Sequence, residues 1–160
     1  MQIASMSGLG VTDFSVTANP ALPVLRATPG EVDVLILGSY FCDVVLSGLP
    51  EMPRLGDEIW ASACSVVPGG TYITAAALHQ LDVSSAWACR FGSDPFSRFV
   101  RSAADAIGMN DSAYVLVDKP VLNLSIAMSF PADRSFLSFA EPVPPLTLAA
   151  IDELLVGGLG

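Results

Sequence analysis

A short, almost uninterrupted apolar run occupies residues 32–37 and ends at Gly38. A run of this length, closed by glycine, is typical of a strand that is buried on both of its faces. Such strands belong mainly to parallel sheets that helices cover on each side. Similar runs at residues 86–91 and 114–117 predict two further core strands. The chain is therefore expected to form an α/β domain around a parallel central sheet.

Helical segments alternate with these runs. The alanine-rich residues 75–81 predict one helix, because alanine has the highest helix propensity. Asp94 and Pro95 suit the N-cap and the first position of a second helix, and Gly108 suits its end. Thr147 is suited to cap a third helix further along the chain. The second helix also carries apolar residues at helical spacing: Phe96, Phe99, Val100, Ala103, Ala104 and Ile107.

Two pairs of strand-like segments interrupt the alternation. Residues 44–49 and 58–67 form the first pair, and residues 122–130 and 135–139 form the second pair as a hairpin. Residues 122–130 alternate apolar and polar side chains, which predicts a strand with one solvent-facing side. These segments are too two-sided for the core of a parallel sheet. A small, separate antiparallel sheet is therefore predicted.

Composition narrows the class of protein. Residues 1–31 are rich in Ser, Thr, Ala and Pro, and we expect a loosely ordered extension before one domain over residues 32–160. A net charge of −9 without a basic cluster argues against nucleic-acid and anionic-membrane partners. No apolar run reaches the length of a membrane span and no secretory signal is recognisable, so a cytoplasmic location is expected. Three cysteines without metal-binding spacing predict free thiols and no metal site: Cys42, Cys64 and Cys89.

Few polar residues stand where open α/β sheets bind ligands. Asp43 follows the first core strand, where a carboxylate can accept hydrogen bonds from a vicinal diol, although a turn aspartate is the alternative. Gly69-Gly70 lies between a strand and a helix and allows close backbone approach, but any tight turn can use such glycines. Gly92-Ser93-Asp94 is interpreted as a structural turn. His79 is interpreted as an ordinary helix residue rather than a catalytic base.

The order and spacing of five motifs are more specific than any one of them. They are Gly38…Asp43, Pro53-Arg54-Leu55-Gly56-Asp57-Glu58, Pro68-Gly69-Gly70-Thr71-Tyr72, Gly92-Ser93-Asp94-Pro95-Phe96 and Asp133-Arg134-Ser135-Phe136. From residue 32 to about 158, the chain resembles the N-terminal half of ribokinase-like (PfkB-type) carbohydrate kinases. The resemblance implies a ribokinase-like fold, incomplete at its C-terminal end, with lid strands near residues 44–67 and 122–139.

The resemblance also implies a site and its ligands. A small-molecule sugar or nucleoside would bind at Asp43, Gly69, Gly70, Thr71 and Ile73. The lid would close over that substrate, and it would also be available for homodimer formation. ATP and Mg²⁺ are implied as cofactors, held by a half of the kinase fold that is absent from these residues.

Several departures from the family pattern affect the expected activity. Ile73 stands where the family carries a sugar-binding asparagine, Phe41 replaces a frequent polar residue, and Asp82 replaces a glycine. The family's Gly-Ala-Gly-Asp motif, which supplies the base and the phosphate cradle, does not occur, so no catalytic residue is assigned. We expect the substrate-binding and lid half of an ATP-dependent carbohydrate kinase, inactive in this truncated form. The alternative is a non-catalytic binding or interaction protein with the same fold.

Overall fold

The computed structural model describes residues 32–142, which form eight strands and two helices. The strands are β1 (Val34–Leu37), β2 (Tyr40–Ser47), β3 (Ala63–Gly70), β4 (Ser85–Ala88), β5 (Arg90–Phe91), β6 (Val115–Leu116), β7 (Asn123–Ser129) and β8 (Arg134–Ala140). The helices are α1 (Thr71–Gln80), after β3, and α2 (Pro95–Ala106), after β5. The predicted extension over residues 1–31, the helix near Thr147 and the end of the predicted domain lie outside the described residues.

The parallel core is confirmed. β1 pairs with β4, and β5 pairs with β6, in both cases parallel. The predicted strand over residues 86–91 is divided at Cys89 into β4 and β5. Aromatic rings fill the space beside these strands, with the Phe91 ring 5.2 Å from that of Tyr40 and 5.5 Å from that of Trp87. Because these rings are almost fully buried, they form the centre of the hydrophobic core.

Helix α2 forms as its sequence predicts. Asp94 is the N-cap, its carboxylate accepts a hydrogen bond from Ser97 N at 2.9 Å, and Pro95 opens the helix. The helix buries Val100 and Ala104 against the core. Gly108 follows its end with φ of 75°, a conformation that glycine adopts without a steric penalty.

Helix α1 begins earlier than predicted, at Thr71 rather than near residue 75. The expectation that Pro68-Gly69-Gly70 ends the preceding strand before the helix is wrong, because β3 continues through Gly70. Gly69 and Gly70 pair with Phe41 and Tyr40 of β2, and this pairing holds the glycines in the sheet. Pairing with a neighbouring strand therefore overrides the local preference of the Pro-Gly-Gly sequence.

The predicted separate sheet is confirmed, and its strand order is β3-β2-β7-β8. The outer pairings, β2 with β3 and β7 with β8, are antiparallel as expected, whereas the central pairing of β2 with β7 is parallel. β2 also begins at Tyr40, four residues before the predicted start. Asp43 therefore lies within a strand of this sheet, and not in the turn after the first core strand.

The four-stranded sheet has two faces, because side chains alternate along each strand. The register places one set of residues on what we call the Asp43 face: Ser65, Val67 and Gly69 of β3; Phe41, Asp43 and Val45 of β2; Asn123, Ser125 and Ala127 of β7; Arg134, Phe136 and Ser138 of β8. The opposite, Val44 face includes Cys64, Val66, Pro68, Cys42, Val44, Leu46, Leu124, Ile126, Met128, Ser135, Leu137 and Phe139.

The solvent-facing side of β7 differs from the expectation. The small and polar residues Asn123, Ser125 and Ala127 are the buried ones, whereas the apolar residues between them are only half-buried. The burial of Asn123 and Ser125 is compensated by hydrogen bonds, since Asn123 Oδ1 accepts from Glu141 N at 3.0 Å and Ser125 Oγ accepts from Ser138 Oγ at 2.9 Å. The alternation correctly predicted a two-sided strand but not which side is covered.

Candidate functional site

The carboxylate of Asp43 lies across the backbone of Gly69. A Cβ atom at residue 69 would stand only 2.5 Å from Asp43 Cγ, so any side chain at residue 69 would displace the carboxylate. Gly69 is buried and Asp43 is half-buried. Burial raises the pKa of the Asp43 carboxyl above its usual value, because water stabilises the charged form less well there. A carboxylate with reduced hydration gains strongly from hydroxyl donors, as a diol would supply.

The second glycine shapes the turn into α1. Gly70 has φ of 65°, and a Cβ atom there would lie 2.7 Å from the carbonyl oxygen of Ser39. Thr71 N and Thr71 Oγ1 both donate to that carbonyl oxygen, at 3.2 and 3.0 Å. Thr71 Oγ1 also accepts a hydrogen bond from Trp87 Nε1 at 2.9 Å. The Thr71 hydroxyl therefore fixes this turn to the core strands as part of the protein's own hydrogen-bond network.

Ile73 lies in the first turn of α1 with 62% of its surface exposed. Most of its surface is therefore open to solvent, in contrast to Ala75, which is buried two positions later. The structure thus brings together Asp43, Gly69 and Gly70, and places Thr71 at the adjoining turn. Ile73 offers an apolar surface to solvent at the same end of the helix.

Two serines extend the carboxylate into a polar row that the sequence interpretation missed. Ser125 of β7 stands beside Asp43 in the sheet, and Ser138 of β8 stands beside Ser125. Ser138 Oγ donates to Ser125 Oγ at 2.9 Å, which confirms that both hydroxyls lie on the Asp43 face. A polar residue at alternate positions was visible in the sequence, but only the strand register reveals the row.

The buried carboxylate of Asp94 serves the fold. Asp94 Oδ2 accepts hydrogen bonds from Ser97 Oγ at 2.7 Å and from Val121 N at 2.9 Å. Burial by itself would raise the pKa of this carboxyl, but the hydrogen bonds from Val121 and Ser97 outweigh burial and lower it. Tyr40 Oη completes the cluster, 2.7 Å from Ser97 Oγ and donating to the carbonyl of Val121. With every carboxylate partner inside the protein, the interpretation of Gly92-Ser93-Asp94 as a structural turn fits the geometry.

His79 is remote in the fold from the Gly70 turn, since it lies in the last turn of α1. Its Nε2 atom donates to the carbonyl oxygen of Ile107 at 2.7 Å. The ring borders an open cavity of about 350 Å³ at the amino end of β4, together with Trp87 and Asn110. The contacts assign His79 to the packing between the ends of the two helices, as an ordinary helix residue.

Over residues 32–142, no three His, Cys, Asp or Glu side chains lie close enough together to hold a metal ion. Neither helix of this part of the chain is long and apolar enough to cross a membrane.

No protein-family model and no curated protein matches the sequence. Solved structures do match the fold. Ribokinase from Cryptococcus neoformans var. grubii serotype A, in complex with ADP, aligns over 72% of this chain with 20% identity and a TM-score of 0.57. The nucleoside kinase of Methanocaldococcus jannaschii aligns over 66% with 14% identity and a TM-score of 0.57. Halothermothrix orenii fructokinase aligns over 68% with 16% identity and a TM-score of 0.56.

The alignment covers only 38%, 36% and 37% of those three structures, respectively. At identities of 14% to 20%, this likeness establishes the fold and not the activity. The chain has the ribokinase-like fold, over a little more than one third of the length of the solved structures that it matches.

Proposed function

We propose that this chain is the substrate-binding and lid part of an ATP-dependent kinase that phosphorylates a hydroxyl group of a sugar or nucleoside. The observation that carries the proposal is the half-buried Asp43 carboxylate, which lies on an inner strand of the four-stranded sheet against the backbone of Gly69. Asp43 would accept hydrogen bonds from two neighbouring hydroxyls, while the glycine backbone would let the substrate ring approach closely. Ribokinase, fructokinase and nucleoside kinase structures with the same fold support this substrate class.

The nucleotide site belongs to the part of the fold that this chain does not span. Phosphoryl transfer requires a base for the attacking hydroxyl and an electrostatic cradle for the γ-phosphate. The 160 residues contain no Gly-Ala-Gly-Asp motif, and Lys119 is their single lysine. We therefore propose that ATP and Mg²⁺ bind to residues outside this sequence, and that the lid strands exclude water when the complete site closes.

A coupled ADP-release assay tests whether the 160 residues alone transfer phosphate. We expect no turnover above background with ATP, Mg²⁺ and ribose, fructose or adenosine, because the loss of base and cradle each lowers the rate by orders of magnitude. Sugar-dependent ADP release that Asp43→Ala abolishes would overturn the proposal that the catalytic groups lie elsewhere.

Calorimetry with the same three ligands tests the substrate site directly. Asp43→Ala should weaken binding at least about fivefold, since one or more hydrogen bonds to a charged acceptor are lost. Asp133→Ala removes a carboxylate from the exposed β7–β8 turn and serves as the matched control, with no expected change. Ile73→Asn should tighten polyol binding by restoring an amide at the first turn of α1. Equal affinities in all four proteins would refute the placement of the ligand.

The Val44 face supplies the proposed homodimer contact. It exposes Val66, Leu137 and Phe139 together, and burial of such apolar area stabilises an interface by roughly 25 cal/mol per Å². Leu137→Lys should therefore abolish the dimer in sedimentation velocity, whereas Leu116→Lys, at an exposed position in the core sheet, should not. A dimer that survives Leu137→Lys would contradict this interface.

The free thiols fit the cytoplasm, which we propose as the compartment of this protein.

A non-catalytic binding module is the second candidate, and the exposed Ile73 favours it. An apolar side chain at the first turn of α1 is better suited to a protein or apolar ligand than to sugar hydroxyls. The two candidates differ in the calorimetry above. Failure of every sugar and nucleoside to bind, in a chain that melts cooperatively, would favour the module.

A further inference from the structure

We infer that the proposed site takes a nucleoside rather than a free monosaccharide, an inference that rests on the proposed role of Asp43 in holding a diol. The reason is the pattern of side chains next to the polar row. Ordered from β3 to β8, the row that contains the carboxylate reads Val67, Asp43, Ser125 and Ser138. Two rows flank it on the same face: one contains Gly69, Phe41 and Asn123, and the other, which we call the adjoining row, reads Ser65, Val45, Ala127 and Phe136.

The adjoining row provides an apolar surface with an aromatic end. Phe136 is 58% exposed although it lies within a paired strand, and it carries the aromatic ring in that row. Ala127, a small residue of which 8% is exposed, separates Phe136 from Val45. Because the Ala127 side chain is a single methyl group, it extends less far from the sheet than Val45 and Phe136 on either side of it. A planar heterocycle placed over this row would contact Val45 and the Phe136 ring at once.

The spacing of the two features exceeds the size of one sugar ring. Phe136 lies two strands and one row away from Asp43, a separation of about 12 Å between Cα atoms at ordinary strand and residue spacings. Side chains of both residues extend over the face and shorten the gap between their functional ends. A monosaccharide held at its diol by Asp43 does not reach the phenyl ring. A nucleoside does, because its base projects away from the two ribose hydroxyls.

The charge on this face argues against a phosphorylated sugar. Within residues 32–142, Arg134 is the one cationic residue on the Asp43 face, and its guanidinium carbon lies 5.6 Å from the centroid of the Phe136 ring. The cation is therefore already engaged by the aromatic ring. A guanidinium packed on one side of the ring also holds it in place, which favours stacking on the other side. The polar row itself carries a negative charge, which repels a phosphate group close to Asp43.

Calorimetry of the chain with adenosine, ribose and ribose 5-phosphate tests the inference. We expect adenosine to bind at least about tenfold more tightly than ribose, given the strength of base–aromatic stacking. Phe136→Ala should remove most of that preference and leave ribose binding unchanged, and Phe136→Tyr should restore it. Leu116→Ala, which removes a similarly exposed apolar side chain from the core sheet, is the matched control and should preserve the preference.

Three results would overturn the inference. If ribose binds as tightly as adenosine and Asp43→Ala weakens both, the diol site stands and the nucleoside assignment fails. If ribose 5-phosphate binds most tightly and Arg134→Gln removes that advantage, the site takes a phosphorylated sugar. If none of the three ligands shows any dependence on Asp43, the proposed function itself fails, and the nucleoside assignment fails with it.

Discussion

Replacing Gly69 with alanine isolates the contact on which the candidate site depends. The added methyl group would stand 2.5 Å from Asp43 Cγ, whereas ordinary van der Waals contact begins at 3.4 Å. The carboxylate must therefore move by roughly 1 Å, either by leaving its rotamer or by separating β2 from β3. Overpacking of this kind typically destabilises a protein by about 1–3 kcal/mol. We expect Gly69→Ala to lower the free energy of unfolding by about 2 kcal/mol.

Two variants at residue 43 separate the effect of the size of the side chain from the effect of its charge. In an Asp43→Ala background the obstacle is gone, and Gly69→Ala should then be neutral or stabilising by about 0.4–1 kcal/mol, because alanine restricts the unfolded chain. That gain requires a backbone that alanine tolerates, and Gly69 is not among the residues with positive φ in the described part of the chain. In an Asp43→Asn background the bulk remains without the charge. The destabilisation should therefore persist.

Urea unfolding, followed through the fluorescence of the buried Trp87, measures all six proteins. Trp60 is exposed, and a Trp60→Phe background removes its contribution to the signal. The predicted coupling between residues 43 and 69 is about 2 kcal/mol in the cycle with alanine and near zero in the cycle with asparagine. If Gly69→Ala had the same effect in every background, within about 0.5 kcal/mol, the carboxylate would not lie over the glycine.

The remaining predictions concern the buried carboxylate, the thiols and the free strand edge. Since hydrogen bonds lower the pKa of Asp94 in the folded protein, the charged carboxylate stabilises the fold at neutral pH, and this contribution is lost as the pH falls below about 4. Asp94→Asn should lower the free energy of unfolding by about 1–3 kcal/mol at pH 7 and weaken its dependence on acidic pH. An unchanged dependence on acidic pH would contradict this role of Asp94. Only Cys64 should react rapidly with a disulfide reagent in the native protein, because burial raises the pKa values of the Cys42 and Cys89 thiols. A fast reaction that remains in the Cys64→Ser variant would refute this prediction. Within residues 32–142, β1 pairs only with β4, so its other edge is free to pair with a second chain. Size-exclusion chromatography should therefore show self-association that grows with protein concentration. A monomer at every concentration would show that this edge of β1 is covered.

The parts of the fold that the sequence predicted well are those with local causes. Helix α2 was predicted correctly because its cap, its proline and its terminal glycine all act within the segment itself. The boundaries of β2 and β3 were not, because Tyr40 and Gly70 belong to these strands only through pairing with each other. Strand ends that depend on a distant partner leave no signal in their own residues.

The candidate site shows the same division. Asp43, Gly69 and Gly70 were singled out from motif order, and the structure brings them together. Ser125 and Ser138 were not, because their place beside Asp43 depends on which residues of β2 and β7 face each other. The sequence also could not predict which side of β7 is buried, since burial there depends on the size of neighbours on other strands and not on the hydropathy of the segment.

The parallel pairing of β2 with β7 has a consequence for the order of folding. β2 is separated from β3 by residues 48–62, so this first antiparallel pair forms from segments that are near each other in the chain. The other edge of β2 can pair only after β7 has been made, because β7 follows both helices and the core strands along the chain. Contacts between such distant segments form slowly, because a large loop must close before they stabilise the chain. During synthesis, Asp43 is therefore paired with β3 well before Ser125 can stand beside it, and the polar row of Asp43, Ser125 and Ser138 is complete only after β7 and β8 have been made.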